Sequence, residues 1–207
     1  ALAMLRVCAR YLAEYKKEPD LQLSNEDTGR LYLWEVYVAS SCSQGYYLIG
    51  EVDESLKWCD HIISLEKEFK KLGILDQVFT EYNYTVCVKA ILLSEVGDSE
   101  GAIKYFNFII DSRIRKRMRK VVDPVITAQL RNSLKVLLTE RGKAYYRASQ
   151  IQKAFEDASE SLEIEDSRDI ESYILRARCQ FAMDNFEEGR IDVEKAMQNA
   201  NGNVVAI

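Results

Sequence analysis

Residues 142–154, GKAYYRASQIQKA, and residues 177–189, ARCQFAMDNFEEG, decide the fold of this chain. Each stretch begins and ends on a small residue, Gly142 with Ala154 and Ala177 with Gly189, twelve positions apart in both. Each carries a helix-breaking pair between them, Ser149–Gln150 in the first and Asp184–Asn185 in the second. Laying residues 135–168 on 170–203 also sets Tyr146 beside Phe181, Ile151 beside Phe186 and Leu162 beside Met197, so large residues match large ones. Two helices joined by a short turn run antiparallel, and their backbones approach closely only where side chains are small. The pattern therefore predicts a helical hairpin that occurs at least twice.

The rest of the chain is helical by the same criteria. Leu31, Trp34, Val38, Cys42, Tyr46 and Ile49 recur at steps of 3, 4, 4, 4 and 3, the stripe of a long amphipathic helix. Ser24 with Glu26 and Asp27 supplies its start, since a Ser hydroxyl and nearby acids satisfy the unpaired amides of a first turn. Asp123–Pro124 is a second start, because Asp caps and Pro sacrifices no hydrogen bond at the first helical position. That helix is predicted to run to about Tyr146. Gly50, Gly73 and Gly97 mark further breaks. Eight or nine helices with short connections are expected, hence antiparallel neighbours.

Composition agrees and excludes several classes of protein. The chain has 207 residues with only 9 Gly and 2 Pro, 47% hydrophobic and 29% charged, as befits an all-α protein with a buried core. No run of 18 apolar residues is present. Cys8, Cys42, Cys59, Cys87 and Cys179 are odd in number, never spaced as C-x-x-C, and sit among apolar neighbours at helical spacing, so they read as small hydrophobes in a reducing compartment, cytoplasm or nucleus. His61 is the single imidazole and reads as a helix-surface or satisfied core residue; two positions from Cys59, it points to another face of the helix. No phosphate loop, dinucleotide fingerprint, zinc-protease helix or calcium loop occurs, and nothing calls for a cofactor or a metal. Asn83-Tyr84-Thr85 is a sequon on a predicted helix, and Glu163, Glu165 and Asp166 read as a solvated helix end. No enzyme is expected. The absence of an initiator Met and the uncapped end at Val204, Val205 and Ile207 suggest a piece of a longer protein.

At Gly142, Tyr145 and Ala154, and again at Ala177, Phe186, Gly189 and Ala196, the chain resembles the tetratricopeptide repeat (TPR) family. Two earlier stretches resemble it more loosely: residues 83–116 through Ala90, Leu93, Gly97, Asp98, Ala102 and Phe106, and residues 36–69 through Ser43, Tyr46, Gly50, Ser55 and Ile62. The unit starts at 36, 83, 135 and 170 are unevenly spaced, and the family's Pro at the end of each unit is missing. The resemblance implies one TPR-like domain over 1–207, a right-handed superhelix of antiparallel hairpins, with lengthened helices in the N-terminal two thirds and residues 1–24 supplying a packing helix. It also implies a concave face lined by the first helix of each hairpin.

Carried over by that register, the groove-facing positions are Tyr37, Ser40, Gln44 and Tyr47, then Tyr84, Cys87 and Ile91, then Thr139, Lys143, Tyr146 and Arg147, and finally Glu171, Ile174, Arg178 and Phe181. Aromatic faces beside cations suit a peptide or helix with acidic and apolar side chains, so the implied activity is that of a protein-binding scaffold or adaptor, with Lys143, Arg147 and Arg178 bearing the charge contacts. The clamp with which related co-chaperones hold acidic chaperone tails is absent, since its places read Ser40, Gln44, Val88, Val136 and Glu140. The last two units are similar to those of J-domain co-chaperones, though no His-Pro-Asp occurs, so a co-chaperone adaptor without the clamp is one alternative. Charge offers another. Residues 1–110 carry a net −6, residues 111–147 a net +8 and residues 148–207 a net −7. Arg113, Arg115, Lys116, Arg117, Arg119 and Lys120 concentrate that basic island, which with Arg131, Lys135 and Lys143 suits nucleic-acid phosphates; as a helix end it equally suits the macrodipole.

Overall fold

The computed structural model describes residues 2–15, 24–164 and 169–204, and these are helical without a strand among them. In chain order the helices are α1 Leu2–Tyr15, α2 Asn25–Leu48, α3 Val52–Ser64, α4 Glu66–Lys71, α5 Phe79–Glu95, α6 Ser99–Ile109, α7 Lys116–Met118, α8 Pro124–Arg147, α9 Ile151–Ile164, α10 Ile170–Ala182 and α11 Phe186–Val204. A π-helical turn, Ile110–Arg115, joins α6 to α7 without a break. Residues 16–23 of the expected N-terminal packing segment, the carboxylates Glu165 and Asp166, and the terminal Val205 and Ile207 lie outside the described residues. The helix starts fall where the caps place them. Ser24 Oγ accepts the Asp27 amide at 3.1 Å, and Asp123 accepts the amides of Val125 and Ile126 at 2.8 and 3.2 Å ahead of Pro124.

The chain divides into two compact units, residues 1–92 and 93–207. In the first, α1 packs on α2 and α2 on α3. Val88 and Leu92 of α5 close over Cys59 of α3, and Phe69 of α4 meets the edges of Tyr32 and Tyr82. The face of α2 differs from the expected stripe. Trp34 is 65% exposed and Ile49 60%, whereas Val36, Ala39, Cys42, Ser43 and Tyr46 are buried. The inward face carries Ala39, Cys42 and Ser43 side by side, and at Ser43 the neighbouring helix comes close enough for the Ser55 hydroxyl to reach its carbonyl. In the second unit α6 packs on α8, α8 on α9, α9 on α10 and α10 on α11.

One register governs all four helix-turn-helix stretches. Ser43 and Ser55, Ala90 and Ala102, Gly142 and Ala154, and Ala177 and Gly189 each stand twelve residues apart, and all eight residues are buried. A Cβ at Gly142 would lie 2.8 Å from Leu175 Cδ2 and 3.3 Å from the Ala154 carbonyl oxygen. The Ser55 hydroxyl donates to the Ser43 carbonyl at 2.8 Å, an equally close approach. Seven residues after the first small residue of each pair the backbone turns left-handed: Gly50 has φ +79°, Gly97 +96°, Ser149 +59° and Asp184 +62°. There the helix ends in a Schellman turn. The amides of Glu51, Gln150 and Asn185 donate to the carbonyls of Tyr46, Tyr145 and Gln180 at 3.0, 2.9 and 2.9 Å.

The last two stretches share buried charge as well. Arg141 donates through Nε and Nη2 to the two Asp157 oxygens at 2.8 and 2.6 Å, and Arg176 does the same to Asp192 at 2.7 and 2.7 Å. Both pairs span 16 residues and stand 35 apart, the offset of the repeat. Asn107 Oδ1 accepts a further bond from Arg141 at 2.8 Å. Burial pushes the Asp157 carboxyl up from its ordinary value, and the guanidinium holds it back. Thr139, Ser161 and Ser172 form a buried triangle of hydroxyls with sides of 3.1, 2.7 and 2.9 Å, so Thr139 serves packing rather than the groove expected of it. Of the cysteines, Cys42, Cys59 and Cys179 are fully buried, and burial pushes each thiol up to about 11. Cys87 is half-buried; Cys8, contrary to expectation, is exposed because it rides the outer side of α1.

Two outcomes follow from this packing. Ser149→Gly and Asp184→Gly should each raise stability by about 0.5–1 kcal/mol and Gly50→Ala and Gly97→Ala lower it by about 1, since only the left-handed backbone separates the residue types where no neighbour crowds the added Cβ; urea unfolding reads both signs. Asp157→Ala should cost about 3–5 kcal/mol by stranding the Arg141 guanidinium, and Arg141→Met/Asp157→Leu should recover most of it.

Candidate functional site

Helices α8 and α10 form an open groove of about 640 Å³ in the second unit. Lys143, Tyr146 and Arg147 from α8 and Glu171, Ile174, Leu175 and Arg178 from α10 line it. Six of these seven are groove positions read from the sequence. The helical repeat brings them together: on α8 they stand three and four residues apart, on α10 again three and four, so each helix offers one face. Beneath those faces Gly142 lets Leu175 of α10 and the Ala154 carbonyl of α9 come close to α8, and Ala177 is buried on α10. Leu175, whose methyl presses on Gly142, is the lining residue that the register omitted, since it belongs to core and groove at once.

The charges of the groove are unequal in what they can offer. Lys143 Nζ sits between Glu140 and Glu171, 2.7 Å from each, so its charge is spent locally. Burial disfavours the ammonium, but the two carboxylates outweigh it and the Lys143 pKa stands above its ordinary value. The Arg178 guanidinium lies 5.4 Å over the Tyr146 ring, a cation–π contact that leaves its N–H edge available. Arg147 is exposed and donates one bond, from Nη1 to the buried Ser94 hydroxyl at 2.5 Å. The groove thus combines an aromatic face, the aliphatic side chains of Ile174 and Leu175, and two guanidiniums with hydrogen-bonding capacity in hand. Such a surface favours acidic and apolar side chains together.

The remaining sequence-derived candidates fall elsewhere. Phe181 stacks on Phe186 at 6.4 Å and covers Gly189, where an added Cβ would lie 2.5 Å from its ring, so it seals the α10–α11 turn. In the first unit Tyr37 is exposed beside Trp34, and the negative charge of nearby Glu81 raises its pKa. Gln44 is exposed, Tyr84 is partly so, and Tyr47 packs against Cys59, Val88 and Leu92. Trp34 is the exposed aromatic that the sequence reading placed in the core; its distance of three residues from Tyr37 is the signal that pairs the two on one face. The basic segment is partly spent within the second unit. Arg115 pairs through Nη1 with Asp111 at 3.0 Å and through Nη2 with both Glu160 oxygens at 2.6 and 2.7 Å, and Arg113 lies 5.1 Å over Phe108. Lys116, Arg119, Lys120 and Arg131 are exposed, Arg117 is half-buried, and Lys135 stands 3.6 Å from Asp169. Asn83 of the sequon is buried in α5. His61 Nε2 pairs with Glu35 at 2.9 Å on the surface of α3.

Three solved structures of MamA, a TPR-like helical-repeat protein, share this fold. A MamA RS-1 double mutant matches with a TM-score of 0.61 at 11% identity, covering 98% of this chain and 96% of that one. A crystal structure of MamA matches at 0.57 and 13%, covering 87% and 91%. MamA from residue 41 to the end, from Desulfovibrio magneticus RS-1, matches at 0.58 and 10%, covering 97% and 96%. No protein-family model and no curated protein sequence matches the chain. The fold is therefore all-α and TPR-like, as the resemblance implied, at identities that speak to fold alone. No helix among the described residues is long and apolar enough to cross a membrane.

The Lys143 geometry has a chemical readout. With its ammonium held by two carboxylates, Lys143 should be acetylated by an N-hydroxysuccinimide ester more slowly than exposed Lys116 and Lys120, and Glu171→Gln should speed its labelling about threefold or more; peptide mass spectrometry measures all three sites.

Proposed function

We propose that this chain is a non-enzymatic interaction module that binds a peptide or helix of a partner protein in the α8–α10 groove, on the concave face that a TPR-like fold offers. The observation that carries this reading is the convergence of Tyr146, Ile174 and Leu175 with the guanidiniums of Arg147 and Arg178 in one groove of about 640 Å³. The apolar residues supply desolvation energy, and the two arginines select acidic side chains and hold them bidentately. Lys143 sets the groove's shape and local neutrality rather than contributing a further cation, because Glu140 and Glu171 occupy it. The fold it shares with MamA supports a scaffold of this kind. Nothing in the groove provides a paired nucleophile and base, which favours binding over turnover. The two compact units are proposed to act within one helical-repeat module of this class.

Arg147→Glu/Arg178→Glu should weaken binding of acidic-apolar 15-residue peptides on an array by about tenfold or more, with the thermal midpoint nearly unchanged because both side chains are exposed. Unaltered peptide binding in that variant removes the groove from the account. Retention of a DNA duplex that falls steeply between two salt concentrations, in wild type and variant alike, transfers the function to the basic segment.

A further inference from the structure

We propose that a second, open cleft, lined by α1, α2 and α3 in the first unit, binds a small carboxylate with an apolar body. The cleft measures about 460 Å³, within the range of small-molecule sites. Its walls are Leu12 of α1, Val38 and Ala39 of α2, and the Trp58 ring of α3. The space exists because Ala9 and Ala13, one turn apart on α1, present only methyl groups toward it.

Its charges decide the ligand. Lys57 pairs with Glu54 at 2.5 Å, and Glu35 is held in a hydrogen bond with His61 Nε2 at 2.9 Å. Arg10 has Glu14 at 3.8 Å, with both side chains more than 60% exposed, and the Tyr11 ring at 5.9 Å, contacts of little worth that leave its N–H groups available. Arg6 makes no ion pair within 4 Å among the described residues, although its charge reaches Glu54, which Lys57 already holds. These two guanidiniums stand one turn apart on α1 above an apolar floor. A ligand carboxylate gains charge-assisted bonds from them while its apolar body lies against Trp58, whereas an ammonium ligand meets two like charges. This site involves none of the α8–α10 groove residues, so it stands or falls apart from the groove.

The chain has two tryptophans, and Trp34 faces a different surface of α2, so Trp34→Phe leaves Trp58 as the sole reporter. Titrating that variant with 4-phenylbutanoate, 4-phenylbutanamide and 4-phenylbutylamine, with excitation of Trp58 alone, tests the site. The carboxylate should change Trp58 emission saturably and bind about tenfold or more tightly than the amide, with the amine weakest. Adding Arg6→Gln and Arg10→Gln should bring the carboxylate to the level of the amide while helical circular dichroism and melting stay unchanged. Equal binding of acid and amide, no loss on the double substitution, or no saturable change up to about 10 mM overturns the proposal.

Discussion

Two helical backbones can lie nearly in contact only where neither carries a side chain that must go somewhere else. This chain meets that constraint with Ser43 and Ser55, Gly142 and Ala154, and Ala177 and Gly189, and Ala90 and Ala102 repeat the same twelve-residue spacing of buried small residues. The number follows from geometry. Seven residues carry the first helix two turns past its small position, one left-handed residue reverses the chain, and the second small residue lies near the end of the next helix's first turn. Glycine meets the left-handed requirement at positions 50 and 97. Ser149 and Asp184 meet it against their own preference, which shows that the register, rather than the residue type, dictates the turn.

Polar groups enter the interior in the same register. Arg141–Asp157 and Arg176–Asp192 recur at the repeat offset, each bidentate and each joining the two helices of its own hairpin. Such pairs add little over a packed apolar contact, but they penalise any slip of one helix along the other, because a displaced guanidinium or carboxylate would be buried alone. The groove face grows out of the same arrangement. With α8 and α10 set by Gly142 and Ala177, Tyr146, Arg147, Ile174 and Arg178 have no remaining choice of direction and converge. Core packing thus positions a binding surface on rigid helices.

Much of this was legible in the sequence. The helix starts at Ser24 and Asp123, the breaks at Gly50, Gly97, Ser149 and Asp184, and the small-residue pairs of the last two hairpins depend on local chemistry that a single chain displays. The faces of α2 were harder, because periodicity finds a stripe without saying which of two overlapping stripes meets a neighbour; Trp34 and Ile49 fit the period and stand in solvent. The Arg–Asp pairs escaped because a charge sixteen residues from its partner looks like any surface charge until both are aligned with the repeat. The segment Arg113–Lys120 looked uniformly basic, yet Glu160 of another helix claims Arg115, a contact that local composition cannot display. Lys143 is the same case: its register was readable and its two acidic partners were not.

The close-approach constraint is tested most directly by enlarging the second small residue where the sequence resemblance is weakest as well as where it is strongest. Ser55→Leu and Ala154→Leu, compared with Glu156→Leu at an exposed position of α9, would be followed by urea unfolding of the intact chain. The account predicts that each of the two loses about 1–3 kcal/mol through overpacking while the Glu156 variant stays within about 0.5 kcal/mol of wild type. Unfolding of both at the wild-type urea concentration would contradict it.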